Sequence, residues 1–138
     1  MKRRLLAVDP GERRTGLAGT DPTHTICVPL PTLTHAGMAE LPGLLEAVIR
    51  ERDPEVLVVG LPLLQDGSVG TRARKVLALI EALKARYPGL EVTTVDESLS
   101  TRVAHEKLKE AGMKAARRRR KADAGAALEI LERYLRER

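Results

Sequence analysis

Residues Val56–Gly60 read VLVVG, an unbroken apolar run. A strand with one wet face alternates apolar and polar residues, whereas a short continuous run suits a strand covered on both faces, as in the middle of a parallel sheet. Parallel neighbours require crossover connections, and segments of helical periodicity bracket this run. Ala39–Arg52 carries Leu41, Leu44, Leu45, Val48 and Ile49 at helical spacing, with Pro42 near its start, where proline is tolerated. Arg72–Tyr87 carries Val76, Leu77, Leu79, Ile80 and Leu83, with Thr71 as its expected cap and Pro88-Gly89 as its stop.

Extended segments come first in the chain: Arg4–Asp9, Thr15–Thr20 and Thr25–Leu30, joined by short turn-rich links that predict an antiparallel meander. Val92–Val95 reads as a fifth strand, with Asp96-Glu97-Ser98 beyond its end. Ser100 or Thr101 caps a predicted helix running to about Ala111 and stopped by Gly112. Lys121–Arg136 is a last amphipathic helix with Ala127, Leu128, Leu131, Tyr134 and Leu135 on one side. The order β-β-β-α-β-α-β-α-α predicts an α/β fold: a mixed five-stranded sheet, three antiparallel strands and then β/α units, flanked by helices. Right-handed crossovers set the later strands parallel to the first. With no linker and no repeat, residues 1–138 are expected to form a single domain.

Composition narrows the function classes. The lone cysteine, Cys27, is expected to be buried and reduced, and His24, His35 and His105 show neither metal-ligand spacing nor a paired nucleophile. Lys2, Arg3 and Arg4 precede too short an apolar stretch for a signal peptide, and no run is long enough to span a bilayer, which predicts a soluble, cytoplasmic protein. The formal charge is +5, with 17 Arg among the 24 basic residues, which favours an anionic partner, nucleic acid first. Tyr87 and Tyr134 are the only aromatics among Phe, Tyr and Trp, so stacking platforms for splayed bases are nearly missing. Such a chain is expected to read backbone and shape. No G-x-x-x-x-G-K-[ST] or G-x-G-x-x-G motif supports a nucleotide cradle.

The acidic residues supply the chemistry. Asp9 ends the first strand in LLAVDPGERRTGLA, Asp96 and Glu97 follow the fifth, and Asp123 lies in KADAGAALEIL. Each has an ordinary reading: a turn residue before Pro10-Gly11, support for a helix cap, a complement to a helix dipole. Ligands of open α/β sheets gather at the carboxyl ends of parallel strands, where Asp9, the 61–70 loop and Asp96-Glu97 all fall. Oxygen-only carboxylate clusters suit Mg²⁺ or Mn²⁺, and two such ions can serve phosphodiester hydrolysis, one by activating a water and one by stabilising the leaving oxygen.

The segments LLAVDPGERRTGLA, VVGLPLLQDGSVGTRAR, VDESLSTRVAHEKL and KADAGAALEILERYL resemble the four blocks of the YqgF/RuvX family, in the family's order and over nearly the whole chain. The resemblance implies an RNase H-like fold and a nuclease, described for the family as a Holliday junction resolvase or as an enzyme maturing the 5′ end of pre-16S ribosomal RNA. It also implies that Asp9, Glu97 and Asp123 form the catalytic, metal-binding triad for Mg²⁺ or Mn²⁺, as two ions, with Asp96 as a neighbouring acid. Leu64-Gln65 stand where the family commonly has Asn-Met, and Ser98 where it commonly has arginine; neither departure touches the triad.

Basic residues surround these acids. Lys114–Lys121, KAARRRRK, precedes Asp123 directly; Arg13 and Arg14 follow Asp9; Arg72 and Arg74 follow the 61–70 loop. Arg13, Arg14, Arg72, Arg74, Arg117, Arg118, Arg119, Arg120 and Lys121 are therefore the expected nucleic-acid contacts, against the plainer reading of a solvated charged face. The 61–70 loop is long for a connector and is expected to act as a flap over the substrate. A branched DNA substrate needs two symmetric cuts and so favours a homodimer, whereas precursor rRNA does not. A non-catalytic RNA- or DNA-binding factor that keeps the fold is the alternative, and an actin-like ATP-binding fragment is disfavoured because such folds need two domains.

Overall fold

In a computed structural model, the structure describes residues 3–97 and 115–137, the last stretch with its side chains from 125 onward. The strands are β1 (Leu5–Asp9), β2 (Arg14–Thr20), β3 (Cys27–Thr34), β4 (Val56–Leu61) and β5 (Glu91–Asp96). The helices are α1 (Leu41–Arg52), preceded by a 3₁₀ turn at Met38–Glu40, α2 (Thr71–Arg86) and α3 (Ala115–Arg136). The sheet order is β3-β2-β1-β4-β5. β1 pairs antiparallel with β2 and parallel with β4; β2 and β3 are antiparallel, and β4 and β5 parallel. The expected mixed five-stranded sheet is what forms, with the VLVVG run between β1 and β5.

Strand alternation explains the layers. Leu6 and Val8 of β1, Leu57 and Val59 of β4, and Leu17 of β2 face α1 and α2, whose Leu41, Leu45, Val76, Ile80 and Leu83 complete one core. Leu5 and Ala7, Val56 and Val58, Ala18 and Val95 face the other way, under Ala127, Ile130 and Leu131 of α3. β4 is buried on both faces for this reason. By the same parity Asp9, Gly60 and Glu97 fall on the α3 side, continuing the rows Leu5-Ala7, Val56-Val58 and Val95.

Several boundaries differ from expectation. β3 begins at Cys27 and runs to Thr34, through Pro29 and Pro31. It is an edge strand, where a missing N–H costs no ladder bond on the open side. Thr71 is the first residue of α2; Gly70, in extended conformation, holds the cap position, with no side-chain cap bond. α3 spans Ala115–Arg136 rather than the expected Lys121–Arg136, so Arg117–Arg120 lie within the helix ahead of its expected start. Leu44, Leu77 and Leu135, placed on apolar stripes by spacing, are exposed, and Cys27 is only half-buried. The helix predicted from Ser100 or Thr101 to Ala111, with Gly112, Ser98 and His105, lies outside the described residues. Among the described residues no helix is long and apolar enough to cross a membrane.

Candidate active site

Asp9 is the last residue of β1 and is 6% exposed; Glu97 follows β5 directly and is 5% exposed. Only β4 separates their strands in the sheet. The Glu97 amide donates to Leu61 O at 3.1 Å, which carries the β4–β5 hydrogen-bond pattern past the Leu61–Asp96 pair. An Arg133 guanidinium donates to the carbonyl of Asp96 and ties α3 to the same strand end. The two carboxyl groups hydrogen-bond each other.

Gly60 makes this pairing possible. A Cβ on Gly60 would stand 2.9 Å from Glu97 Cδ, 3.0 Å from its Oε2 and 2.5 Å from Ile130 Cδ1. Any larger residue would push Glu97 away from Asp9 or lift α3 off the sheet. Sequence reasoning missed this role, although a glycine closing an apolar strand is a signal of close approach.

Burial, the hydrogen bond with Asp9 and the negative charge of Asp9 push the Glu97 carboxyl up to about 10; Asp96 raises it further and Arg72 opposes the rise. Glu97 Oε2 is buried with no hydrogen-bond partner among the described residues. Two buried carboxyl groups, one with an unsatisfied oxygen, form a site that favours added positive charge. The donors are all oxygen, which fits a hard divalent cation. Among the described residues no group of three His, Cys, Asp or Glu is assembled, and the side chain of Asp123 lies outside them.

The structure therefore brings together Asp9 and Glu97. It places Asp123 on α3. Asp96 is exposed, on the opposite side of the strand from Glu97. Arg72 and Arg74 are exposed in the first turn of α2, and Arg72 acts electrostatically on both Glu97 and Glu12. Arg13 is exposed beside Glu12, and Arg14 opens β2 half-buried. Arg117, Arg118, Arg119, Arg120 and Lys121 lie in α3, with side chains outside the described residues. Lys75, passed over in the sequence, meets Glu12 at 2.8 Å and joins α2 to the turn after Asp9. The 61–70 loop is folded on itself: Leu64 N donates to Ser68 O at 3.0 Å, Gly67 N to Leu64 O at 2.8 Å, and Ser68 Oγ to Asp66 Oδ1 at 2.6 Å.

The pattern of the RuvX family, described as Holliday junction resolvase, matches residues 3–137. The chain belongs to the RuvX family. A RuvX relative from Synechococcus sp. (strain JA-3-3Ab), named pre-16S rRNA nuclease, is 41% identical over 96% of this chain and 83% of its own. Another of that name, from Rubrobacter xylanophilus, is 39% identical over 96% of this chain and 91% of its own. Among solved structures, Thermus thermophilus RuvC in complex with a Holliday junction superposes with a TM-score of 0.59, covering 98% of this chain and 96% of that one at 18% identity. The fowlpox virus resolvase with its junction DNA gives 0.52, covering 96% and 99% at 13% identity. These likenesses establish the RNase H-like fold. RuvX is thus a family of hydrolases acting on phosphodiester bonds of nucleic acid.

Proposed function

We propose that residues 1–138 form one nuclease domain, a divalent-metal-dependent endonuclease that cuts structured nucleic acid, with the 5′ leader of pre-16S rRNA as its substrate. The buried Asp9–Glu97 pair carries this reading, because two carboxyl groups held in one dry site call for a cation. Asp123 is the proposed third ligand. α3 runs antiparallel to β1: Ile130 packs at Gly60 near the carboxyl end of β4, while Leu135 lines a cavity with Leu5 at the opposite end of β1. Going back along α3 from Ile130 therefore leads towards Asp9 and Glu97, and Asp123 stands seven residues back, on the same helical face by periodicity.

Mg²⁺ or Mn²⁺, as two ions held by these acids, would supply activation of the attacking water and compensation of charge on the leaving oxygen. The protein's own residues do the rest. Asp9 and Glu97 fix the site at the end of rigid strands. Asp96 adds negative charge beside it. Arg72, with Arg74, Arg13 and Arg14, supplies positive charge at the same sheet edge for the substrate phosphates. Arg117, Arg118, Arg119, Arg120 and Lys121, in the first turns of α3, extend that field on the approach to Asp123. The 61–70 loop borders the site as its proposed flap.

The rRNA leader is preferred because relatives at about 40% identity carry that name, while the likeness to RuvC speaks for fold alone. The test is cleavage of a pre-16S leader and of a mobile four-way DNA junction, side by side, by purified protein with Mn²⁺. Leader cleavage with an intact junction is expected; paired cuts in the junction alone, by a homodimer, would reassign the substrate. Asp9→Asn should lower kcat by more than the about 10–100-fold that loss of an outer-shell partner costs, with little change in binding. Retained turnover in Asp9→Asn would refute the metal reading; binding of both substrates by the wild type with cleavage of neither would leave the non-catalytic binder.

A further inference from the structure

His35 carries no role in the site as described, yet it is the sole buried histidine among the described residues, at 8% exposure. It follows β3 directly and holds the turn after Asp9 by two routes. Its backbone N–H donates to Arg13 O at 2.9 Å, where that turn ends. Its ring Nε2 meets Thr15 Oγ1 at 2.8 Å, and the same Oγ1 accepts from the amide of Gly11 at 3.4 Å, where the turn begins. Thr15 is fully buried. The turn is tight, since a Cβ on Gly11 would lie 2.2 Å from Arg14 O.

Two further observations tie this to Asp9. Asp9 pairs with Gly16 across β1–β2, the residue next to Thr15. The β2–β3 register shifts between Thr15 and Leu17, where Pro31 and Thr32 of β3 together stand opposite Gly16, so the extra residue lies on β3. A bulge bends the strand that carries it, here β3 shortly before His35. The other ring nitrogen, Nδ1, is buried with no hydrogen-bond partner among the described residues. A buried unsatisfied nitrogen lowers stability, so an apolar residue of similar size would serve the core as well or better. The benefit of the ring lies in the bond to Thr15.

We propose that His35 and Thr15 are positioning residues, a clamp that fixes the Pro10–Arg13 turn and with it the aim of the Asp9 carboxylate. Neither touches the substrate. The proposal rests on the reading of Asp9 as a metal ligand, on which the clamp acts through the turn that follows it. A shift of about 1 Å in a reacting group can cost about 100-fold in rate, so removal of the clamp should be visible in catalysis without loss of the fold.

The test compares His35→Leu, Thr15→Val, the double variant, His35→Gln and Asp9→Asn, all as the full chain. His35→Leu is expected to weaken Mn²⁺ binding by calorimetry and lower kcat, each by about 10-fold or more, on the scale of an outer-shell partner. Its KM for nucleic acid should stay within about twofold and its thermal midpoint should not fall, a kcat-against-KM split that a structural role would not give. Thr15→Val, which also loses the bond from the Gly11 amide, should cost at least as much, and the double variant should be no worse than Thr15→Val alone, since the bond between His35 and Thr15 is already gone in it. His35→Gln, whose amide reaches the position of Nε2, should recover most of the loss. Amide exchange at Gly11 should accelerate in His35→Leu and return to the wild-type rate in His35→Gln.

Wild-type kcat and Mn²⁺ affinity in His35→Leu, with Asp9→Asn inactive, would overturn the clamp and leave the metal site standing. Losses in His35→Leu and Thr15→Val that multiply in the double variant, or that track the fraction unfolded, would also overturn it. Full turnover in Asp9→Asn, or a wild-type protein that neither binds Mn²⁺ nor cuts, would remove the reading beneath it, and the clamp with it.

Discussion

Glu97→Gln should stabilise the metal-free protein while abolishing cleavage, and the size of the gain can be worked from the site. The Glu97 carboxyl stands near 4.5 in the unfolded chain and is pushed up to about 10 in the fold, by burial first and by Asp9 second. An acid with a raised folded pKa stabilises the fold only in its neutral form. Its contribution is fully present below pH 4.5 and is lost progressively as pH rises towards 10. Each unit costs about 1.4 kcal/mol, so the protein at pH 7 is destabilised by about 3 kcal/mol relative to acid, and by less than about 1 kcal/mol at pH 5. The figure at pH 7 depends on the unfolded value and the pH alone, because the folded value lies well above both. Glutamine keeps the shape and carries no titrating proton, so it escapes this cost. For 138 residues the unfolding entropy is about 0.3 kcal/mol/K, which converts about 3 kcal/mol into about 10 °C. Thermal unfolding in EDTA at pH 5 and pH 7 reads it directly. The variant should melt about 10 °C above wild type at pH 7 and within about 3 °C of it at pH 5. A difference between the two proteins that is the same at both pH values would refute the reasoning, since titrations elsewhere cancel in the comparison.

Gly60→Ala should destabilise by about 1–3 kcal/mol, the usual range for overpacking, because its Cβ lands on Glu97 and Ile130; urea denaturation measures this, and a neutral result would mean that α3 yields without cost. In the same variant Mn²⁺ affinity should fall, as Glu97 is displaced from Asp9. Replacing Arg117, Arg118, Arg119 and Arg120 together by alanine should flatten the salt dependence of nucleic-acid binding by about 0.7–0.9 in log–log slope for each phosphate no longer neutralised, measured by titration across a salt series; an unchanged slope would return that run to a solvated face.

The sheet is readable because its signals are periodic. VLVVG suits a doubly covered strand, and β4 is one. Helical spacing finds α1 and α2 but does not distinguish a core leucine from one at the margin, so Leu44 and Leu77, exposed, fall on stripes they only flank. Proline reads as a breaker, which ends the third strand at Leu30 in the sequence; only the sheet order makes β3 an edge strand where proline is harmless. Asp9 and Glu97 are legible because topology alone sends both to the carboxyl edge. Gly60 and His35 are not, since their roles are relations between strands: one is the absence of a side chain where another must fit, the other a hydrogen bond from the end of β3 to the start of β2, beside the β1–β2 turn. No spacing within one segment encodes either.

The same burial that makes Glu97 costly makes it selective. At neutral pH the metal-free pair holds a proton that a cation must displace, so proton and cation compete for one site. Affinity for Mn²⁺ should therefore rise with pH across the neutral range, while the stability of the empty protein falls over that range. The two trends have one cause, the charge that Asp9 and Glu97 cannot carry alone in a dry site. Arg72 offsets part of that charge from the start of α2, but it is exposed and screened by water, so it moderates the pair without neutralising it. An arginine buried against the two carboxylates would stabilise the fold and leave no demand for a cation. With the basic residues at the rim and the acids at the floor, the proposed site would attract phosphates and still leave its centre open to a metal ion.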